Sequence, residues 1–398
     1  GMKDFLPYSR QHIDNSDISA VIEVLESDFL TTGPKVGEFE TAFASKVNAK
    51  HAIACSSGTA GLHLAASALK IGIDDTAILP AITFLSTANA IRFTGAEVIF
   101  ADVDPKTGLI TQETLEEAFS ISENPGTILP VHLNGQCCDM QSIGSWADSN
   151  GIAIIEDACH ALGGFYQNGD KIGSGKNRLT VFSSHPVKAI AMGEGGIITT
   201  EDADSAQKIK LLRNHGMERD SKNFTYPNQA LDANGEPNPW YYEMQTLGFN
   251  YRISDIHCAL GLSQLSKLDH FIGKQNRLVD LYADRLSPLA PIVTPVGRAN
   301  YGLPAWHVAV VLIDFATAGV SRAAVMNGLR ERGIGSQVLY MPLYRQPYYK
   351  LRYGTKHLPG AEKYYEQALC LPLFSGMTDD DVERVIEALT SVLGMKAG

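Results

Sequence analysis

No run of apolar residues in this 398-residue sequence approaches the length of about 18 that a membrane-spanning helix requires. The amino-terminal stretch "GMKDFLPYSRQ" lacks the charged-then-apolar order of a signal peptide, and we expect a cytoplasmic protein. Cysteine is sparse: Cys55, Cys137, Cys138, Cys159, Cys258 and Cys370 form no CxxC pair and no spacing typical of a zinc site or a disulfide framework. They read as free thiols. Basic residues are outnumbered, and a net charge of -11 argues against broad nucleic-acid or anionic-membrane binding, which calls for a basic face. Heptads, fixed-period repeats and low-complexity tracts are missing as well.

What is present is alternation. "HAIAC" (51–55), "TAILP" (76–80), "AEVIFADV" (96–103), "GTILPVHL" (126–133) and "IAIIED" (152–157) are short apolar runs of buried-strand type, with helical patterns between several of them. This predicts an α/β fold with a mostly parallel sheet covered by helices, whose ligands sit at the carboxyl ends of the strands. Two more strand-like runs, "LTVFSS" (179–184) and "GGIITT" (195–200), bracket Lys188. Ile18, Val21, Ile22 and Leu25 fall at helical spacing behind a cap at Ser16 or Asp17. After about residue 250 the pattern changes to a long helix from Ser254 through "DIHCALGLSQLSKLDHF", a strand at "HVAVVLI" (307–313), a helix at 322–333 closed by Gly333, and a final helix capped by Thr378. Asp379, Asp380 and Asp381 then sit at the positive end of a helix dipole, and we expect no metal there. The division expected is a large domain over 15–255 and a smaller α+β domain over 256–398, with residues 1–14 contributing to a substrate site. Asn223 to Pro239, rich in Asn, Pro and Gly, reads as an irregular insertion.

Three features belong together. "CSSGTAGLHLAASAL" joins a strand to a helix through Ser56, Ser57, Gly58 and Thr59, a small-residue turn whose free backbone N–H groups serve either to bind a phosphate or only to begin a capped helix. "IAIIED" delivers Glu156 and Asp157 at a strand end, where a carboxylate can cap a helix, bind a metal or pair with a cationic ring nitrogen, and His160 follows Asp157 by three residues. Lys188 is a lone cation among apolar residues, where an ammonium is costly unless the site uses it. A phosphate seat, a carboxylate and a reactive amine are the needs of pyridoxal 5'-phosphate, which carries a phosphate, a pyridine nitrogen and an aldehyde.

On these residues the chain resembles the DegT/DnrJ/EryC/StrS sugar aminotransferases, within the fold-type I pyridoxal phosphate enzymes. The likeness runs through "LTTGPKVGEFE" (30–40), "SSGTAGLHLA" (56–65), "PAITFLSTANAI" (80–91), "PVHLNGQCCDM" (130–140), "IIEDACHALGG" (154–164), "VFSSHPVKAIAMGEGG" (181–196) and "LGFNYRISDIHCALGLSQL" (247–265). The resemblance implies that Lys188 carries the cofactor, Asp157 pairs with its ring nitrogen, Phe84 stacks on the ring and His160 contacts the ring or its 3'-oxygen. It implies phosphate contacts from Gly58, Thr59 and Ser183. Asn250 is then expected to reach the cofactor of a second subunit, which makes the active form a homodimer.

"LPYSRQHID", "WYYEMQTLGFNYR" (240–252) and "QPYYKLRYG" are similar to the subgroup that makes UDP-4-amino-4,6-dideoxy-N-acetyl-β-L-altrosamine. Tyr8, Arg10, Tyr340 and Tyr344 are the substrate-binding candidates that follow from it. The subgroup's "VHYIPVH" reads "VLYMPLY" here, with Leu339 and Tyr344 in place of two histidines. The implied reaction passes an amino group from glutamate to a nucleotide-linked keto-sugar with ping-pong kinetics, the acceptor being a UDP-4-keto-6-deoxy-N-acetylhexosamine or a dTDP- or GDP-linked relative. Other readings remain open at this stage. A non-catalytic regulator of the same fold is one; an enzyme acting on amino acids, using Arg298, Arg322 or Arg330 for a carboxylate, is another. A sugar dehydratase of this kind has histidine where Lys188 stands.

Overall fold

The computed structural model describes residues 4–395. The apolar runs of the first half become β1 (His51–Cys55), β2 (Thr76–Pro80), β3 (Glu97–Ala101), β4 (Pro125–Ile128) and β5 (Ala153–Asp157). After a two-residue strand, β6 (Phe165–Tyr166), come β7 (Leu179–Ser183) and β8 (Gly196–Thr200). All but β6 form one sheet in the order β1-β8-β7-β5-β4-β2-β3. Its pairs are parallel except those of β8, which runs antiparallel to both β1 and β7. The chain therefore reverses between β7 and β8, and Lys188 lies on that reversal. The helix Gly58–Ala68 packs on β7 and β8, close enough that a side chain at Gly61 would press on Val181.

A short ribbon pairs β9 (Met217–Glu218) with β10 (Glu243–Met244). The stretch read as an irregular insertion, 223–239, includes a short helix, Pro227–Ala230. Its start is tied down by the Glu243 carboxylate, which accepts the N–H groups of Thr225 and Tyr226. The last third holds a three-stranded antiparallel sheet of β11 (Val293–Pro295), β13 (Ala309–Ile313) and β14 (Ala368–Leu371). Between its first two strands, β12 (Gly302–Leu303) reaches across to pair with β6.

The helix expected at 322–333 spans Arg322–Glu331, and Gly333 beyond it takes φ +76°. The last helix, Asp379–Val392, is capped by Thr378 with Asp381 completing a capping box. Two expectations need correction. The helix from Ser254 is two helices, Asp255–Leu265 and Leu268–Leu286, and the break between them carries Lys267, whose ammonium turns back to Asp14 and buried Asp17. The first helix, Asn15–Leu25, is capped by Asp14 rather than Ser16 or Asp17, because Asp17 is the residue that closes the capping box. Its apolar stripe does not face the chain's own core: Ile18, Ile22 and Leu25 are about half exposed, and Val24 is the buried one.

Among the described residues no helix is long and apolar enough to cross a membrane. No group of three or more His, Cys, Asp and Glu side chains among them can hold a metal ion.

Candidate active site

A cavity of about 650 Å³ opens at the carboxyl ends of β5 and β7, within the size range of small-molecule sites. Three walls carry its chemistry. At one end the helix Gly58–Ala68 begins. Ser57 caps it by accepting the N–H of Ala60, and Gly61 bonds to the Ser57 carbonyl. The N–H groups of Gly58 and Thr59 belong to the unpaired first turn, and both residues line the cavity together with Ser183. Glycine at 196 is what lets β8 pass this turn, since a side chain there would collide with the Ser57 carbonyl.

Asp157 forms the second wall. Successive residues of a strand face opposite sides, so β5 sends Asp157 into the cavity and Glu156 into the protein behind it. Each Asp157 oxygen has a donor: Thr87 Oγ1 gives its proton to Oδ2 at 2.7 Å, and the N–H of Cys159 reaches Oδ1 at 3.1 Å. On the rear face, fully buried Glu156 accepts from His132 Nε2 at 2.8 Å, Tyr166 Oη at 2.8 Å and Thr180 Oγ1 at 2.9 Å, and pairs with Arg178 at 2.7 Å. Burial pushes the Glu156 carboxyl up, but the Arg178 guanidinium and these donors outweigh it and hold its pKa at about 2.

Lys188 is the third wall, on the loop after β7, where its own N–H bonds to the His185 carbonyl at 2.7 Å. Crowding by protein lowers its ammonium pKa from the ordinary lysine value, against the pull of Cys159 and Asp157. Its loop is pinned where Ala191 donates to Gln264 Oε1.

His160 lines the cavity beside these groups. Its Nδ1 accepts the backbone N–H of Asn134 at 3.1 Å, so the proton sits on Nε2, which lies 3.1 Å from Tyr340 Oη and donates to it. Burial, with Lys188 and His307 nearby, drives its pKa well below the usual histidine value. A neutral ring is therefore part of the wall.

Of the residues singled out from sequence, Lys188, Asp157, His160, Gly58, Thr59, Phe84, Ser183, Tyr8 and Tyr340 all meet in this one cavity. Phe84, half exposed, stands 5.9 Å from the Tyr340 ring. Leu339 lines the cavity too. Tyr344 does not: it is 1% exposed, packs on Phe100, and its hydroxyl accepts the N–H of Leu358. The expected substrate contact at Tyr344 is corrected to a core position: on the single turn Leu343–Arg345 it is Leu343 that lines the cavity, while the Tyr344 ring lies against Phe100. Arg10 and Asn250 are exposed and lie outside the cavity of their own chain.

None of the arginines that an amino-acid substrate would need reaches the cavity. Arg298 pairs with Asp280, Arg322 bonds to the Tyr365 carbonyl, and Arg330 lies over the Phe5 ring. Sequence reading missed Thr83, His307, Gln337 and Gln346, which also line the wall. His307 lies against His160 with ring centres 4.3 Å apart and the rings tilted by 35°. Its only sequence signal was a histidine leading the strand "HVAVVLI".

Residues 11–390 match the DegT/DnrJ/EryC1/StrS aminotransferase family. The chain is 39% identical over 392 residues to the spore coat polysaccharide biosynthesis protein SpsC of Bacillus subtilis, covering 98% of this chain and 97% of that one. Its structure is similar to Helicobacter pylori PseC, an aminotransferase involved in the biosynthesis of pseudoaminic acid, with TM-score 0.88 and 27% identity over 98% and 99% of the two chains. It is also similar to DesI in the presence of its TDP-sugar product, with TM-score 0.84 and 30% identity over 98% and 93%. An open helix start, a braced carboxylate and a crowded lysine around one cavity agree with that likeness, and the chain belongs to the DegT/DnrJ/EryC1/StrS family of aminotransferases, whose cofactor is pyridoxal 5'-phosphate.

Proposed function

We propose that the protein moves an amino group from glutamate to a keto-sugar carried on a nucleotide, with a UDP-4-keto-6-deoxy-N-acetylhexosamine as the acceptor. The observation that carries this reading is the convergence of Lys188, Asp157 and the open helix start at Gly58 and Thr59 on one cavity. These residues fit the cofactor by their chemistry. The unpaired N–H groups of Gly58 and Thr59, with the Ser183 hydroxyl, would hold its phosphate; Asp157 would face its ring nitrogen, Phe84 its ring and His160 its neighbourhood. Bound there, pyridoxal 5'-phosphate supplies an aldehyde that exchanges amines and a ring that accepts an electron pair.

The chain's own residues do the rest. Lys188 Nζ, with its lowered pKa, takes the proton from the donor's α-carbon as a neutral amine and returns it elsewhere as an acid. Asp157, anchored on both oxygens, would hold a proton on the ring nitrogen. Neutral His160 and the Tyr340 hydroxyl offer hydrogen bonds without adding charge. Gln337 and Gln346 add amide groups suited to sugar hydroxyls.

Tyr8 meets the acceptor from the amino-terminal segment, which Ser9 ties to the Lys188 loop through the Val187 carbonyl. Arg10, exposed two residues on, is the partner proposed for the nucleotide's phosphates. The same reading divides the chain into a cofactor domain over 15–255 and a smaller domain over 256–398. The half-exposed face of Ile18, Ile22 and Leu25 supports a homodimer, in which Asn250 of each chain serves the other's cofactor. Names of relatives linked to spore-coat polysaccharide and pseudoaminic acid biosynthesis support a sugar acceptor. A second acceptor, dTDP-linked, is favoured by Leu339 on the cavity wall where the UDP subgroup has histidine, and by the likeness to DesI with a TDP-sugar.

The test is turnover with glutamate against UDP-, dTDP- and GDP-linked 4-keto-6-deoxysugars. Highest kcat/KM on the UDP-N-acetyl sugar is expected. Preference for another nucleotide overturns that assignment, and failure with every keto-sugar overturns the reading as a whole.

A further inference from the structure

Asp157 is served by a directed pair of hydroxyls. An ionised carboxylate can only accept, so the single proton of Thr87 Oγ1 is committed to Asp157 Oδ2 at 2.7 Å. Thr83 Oγ1 lies 2.7 Å from Thr87 Oγ1. Thr87 has no second proton to give, and the bond between the threonines must therefore run from Thr83 to Thr87. Both are buried, Thr83 at 2% and Thr87 at 0% exposure, so water is a poor substitute for either.

The placement follows from local structure. Thr83 and Thr87 are four residues apart across the start of the helix Leu85–Phe93, which puts their side chains on one side of it. Phe84, between them, is the residue just before that helix and lines the cavity. One turn of chain thus presents an aromatic ring to the cavity and supports the carboxylate across from it. With Cys159 N–H on Oδ1, the carboxylate is gripped at both oxygens and its plane is fixed.

We infer that Thr87, oriented by Thr83, is a positioning residue that holds the Asp157 carboxylate in place and aimed at the cofactor ring. The inference rests on the proposed pairing of Asp157 with the ring nitrogen. Removing the hydroxyl leaves a buried carboxylate oxygen without its donor, and a hydrogen bond to a charged group carries a large part of that group's strength.

The experiment titrates apoprotein with pyridoxal 5'-phosphate by equilibrium dialysis, without turnover. Thr87→Val, which keeps shape, should weaken cofactor binding roughly ten- to hundredfold. Thr87→Ser, which keeps the hydroxyl, should restore most of it. Thr83→Val should weaken binding less than Thr87→Val, because it removes only the orienting donor. In an Asp157→Asn background the Thr87→Val loss should shrink sharply, since the relay then has no charge to serve. Equal losses in the two backgrounds, or a serine variant as weak as the valine one, would make Thr87 a packing residue and overturn the inference. Unchanged cofactor binding in Asp157→Asn alone would overturn the ring-nitrogen reading, and the inference with it. Near-ultraviolet circular dichroism separates misfolding from weak binding, and Thr83→Val, at the cavity wall, supplies a second test where Thr87→Val fails to fold.

Discussion

Replacing Glu156 by glutamine removes one charge from behind the active site while keeping size and most hydrogen bonds. The structure allows the cost to be worked in two ways. A carboxyl lowered from its ordinary 4.5 to about 2 in the folded state stabilises that state by about 3 kcal/mol at neutral pH. Separately, breaking a buried ion pair on one side typically costs about 3–5 kcal/mol, because the partner charge is left without compensation; here that partner is Arg178, 2.7 Å away. The two figures agree in size. The sign with pH is also fixed. Because the folded pKa lies below the unfolded one, the contribution is complete above about pH 4.5 and disappears as pH falls toward about 2.

Urea unfolding of wild type and Glu156→Gln, followed by circular dichroism at pH 7 and at several values between 5 and 3, reads both quantities. Wild type should be the more stable by about 3 kcal/mol at pH 7, and the gap should narrow steadily as the pH is lowered. A gap below about 1 kcal/mol, or one that does not change with pH, would falsify the reasoning. Because Glu156 and Asp157 share a strand end, variants that remain folded should also bind the cofactor less tightly.

Borohydride should abolish the visible band of the wild-type protein and leave one adduct on Lys188; Lys188→Ala should show no such adduct and no transamination, and an active alanine variant refutes the assignment. Ile22→Glu places a charge on the exposed face of the first helix, and sedimentation should show dimers for wild type and monomers for the variant, with activity lost; equal dimers for both move the interface elsewhere, and a fully active wild-type monomer refutes the homodimer. Tyr344→Phe deletes the acceptor of the Leu358 N–H and should cost about 1–3 kcal/mol of stability with both KM values unchanged, whereas a raised sugar KM would return Tyr344 to the substrate site.

Much of the fold is local and was therefore legible in the sequence. The buried strands at 51–55, 76–80, 152–157 and 179–184 are short apolar runs whose lengths match β1, β2, β5 and β7 to within a residue, because burial on both faces demands such runs. Thr378 announced its helix because a cap is a contact between near neighbours. Lys188, Asp157 and Gly58 were legible as residues out of place among apolar or small neighbours. Tertiary structure decided what depends on distant partners. The break at Ser266 and Lys267 goes with Asp14 and Asp17, some 250 positions earlier in the chain. His160 took one fixed tautomer through the Asn134 backbone and was kept neutral by burial, and Tyr344 turned into the core while its neighbour Tyr340 stayed at the cavity. Thr83 and Thr87 look like any helix-start threonines until β5 brings Asp157 within 2.7 Å of one of them. Periodicity records which side of an element is buried; which group a buried hydroxyl or carboxylate meets is set by how strands are ordered in the sheet, and that ordering is not written in any single stretch of chain.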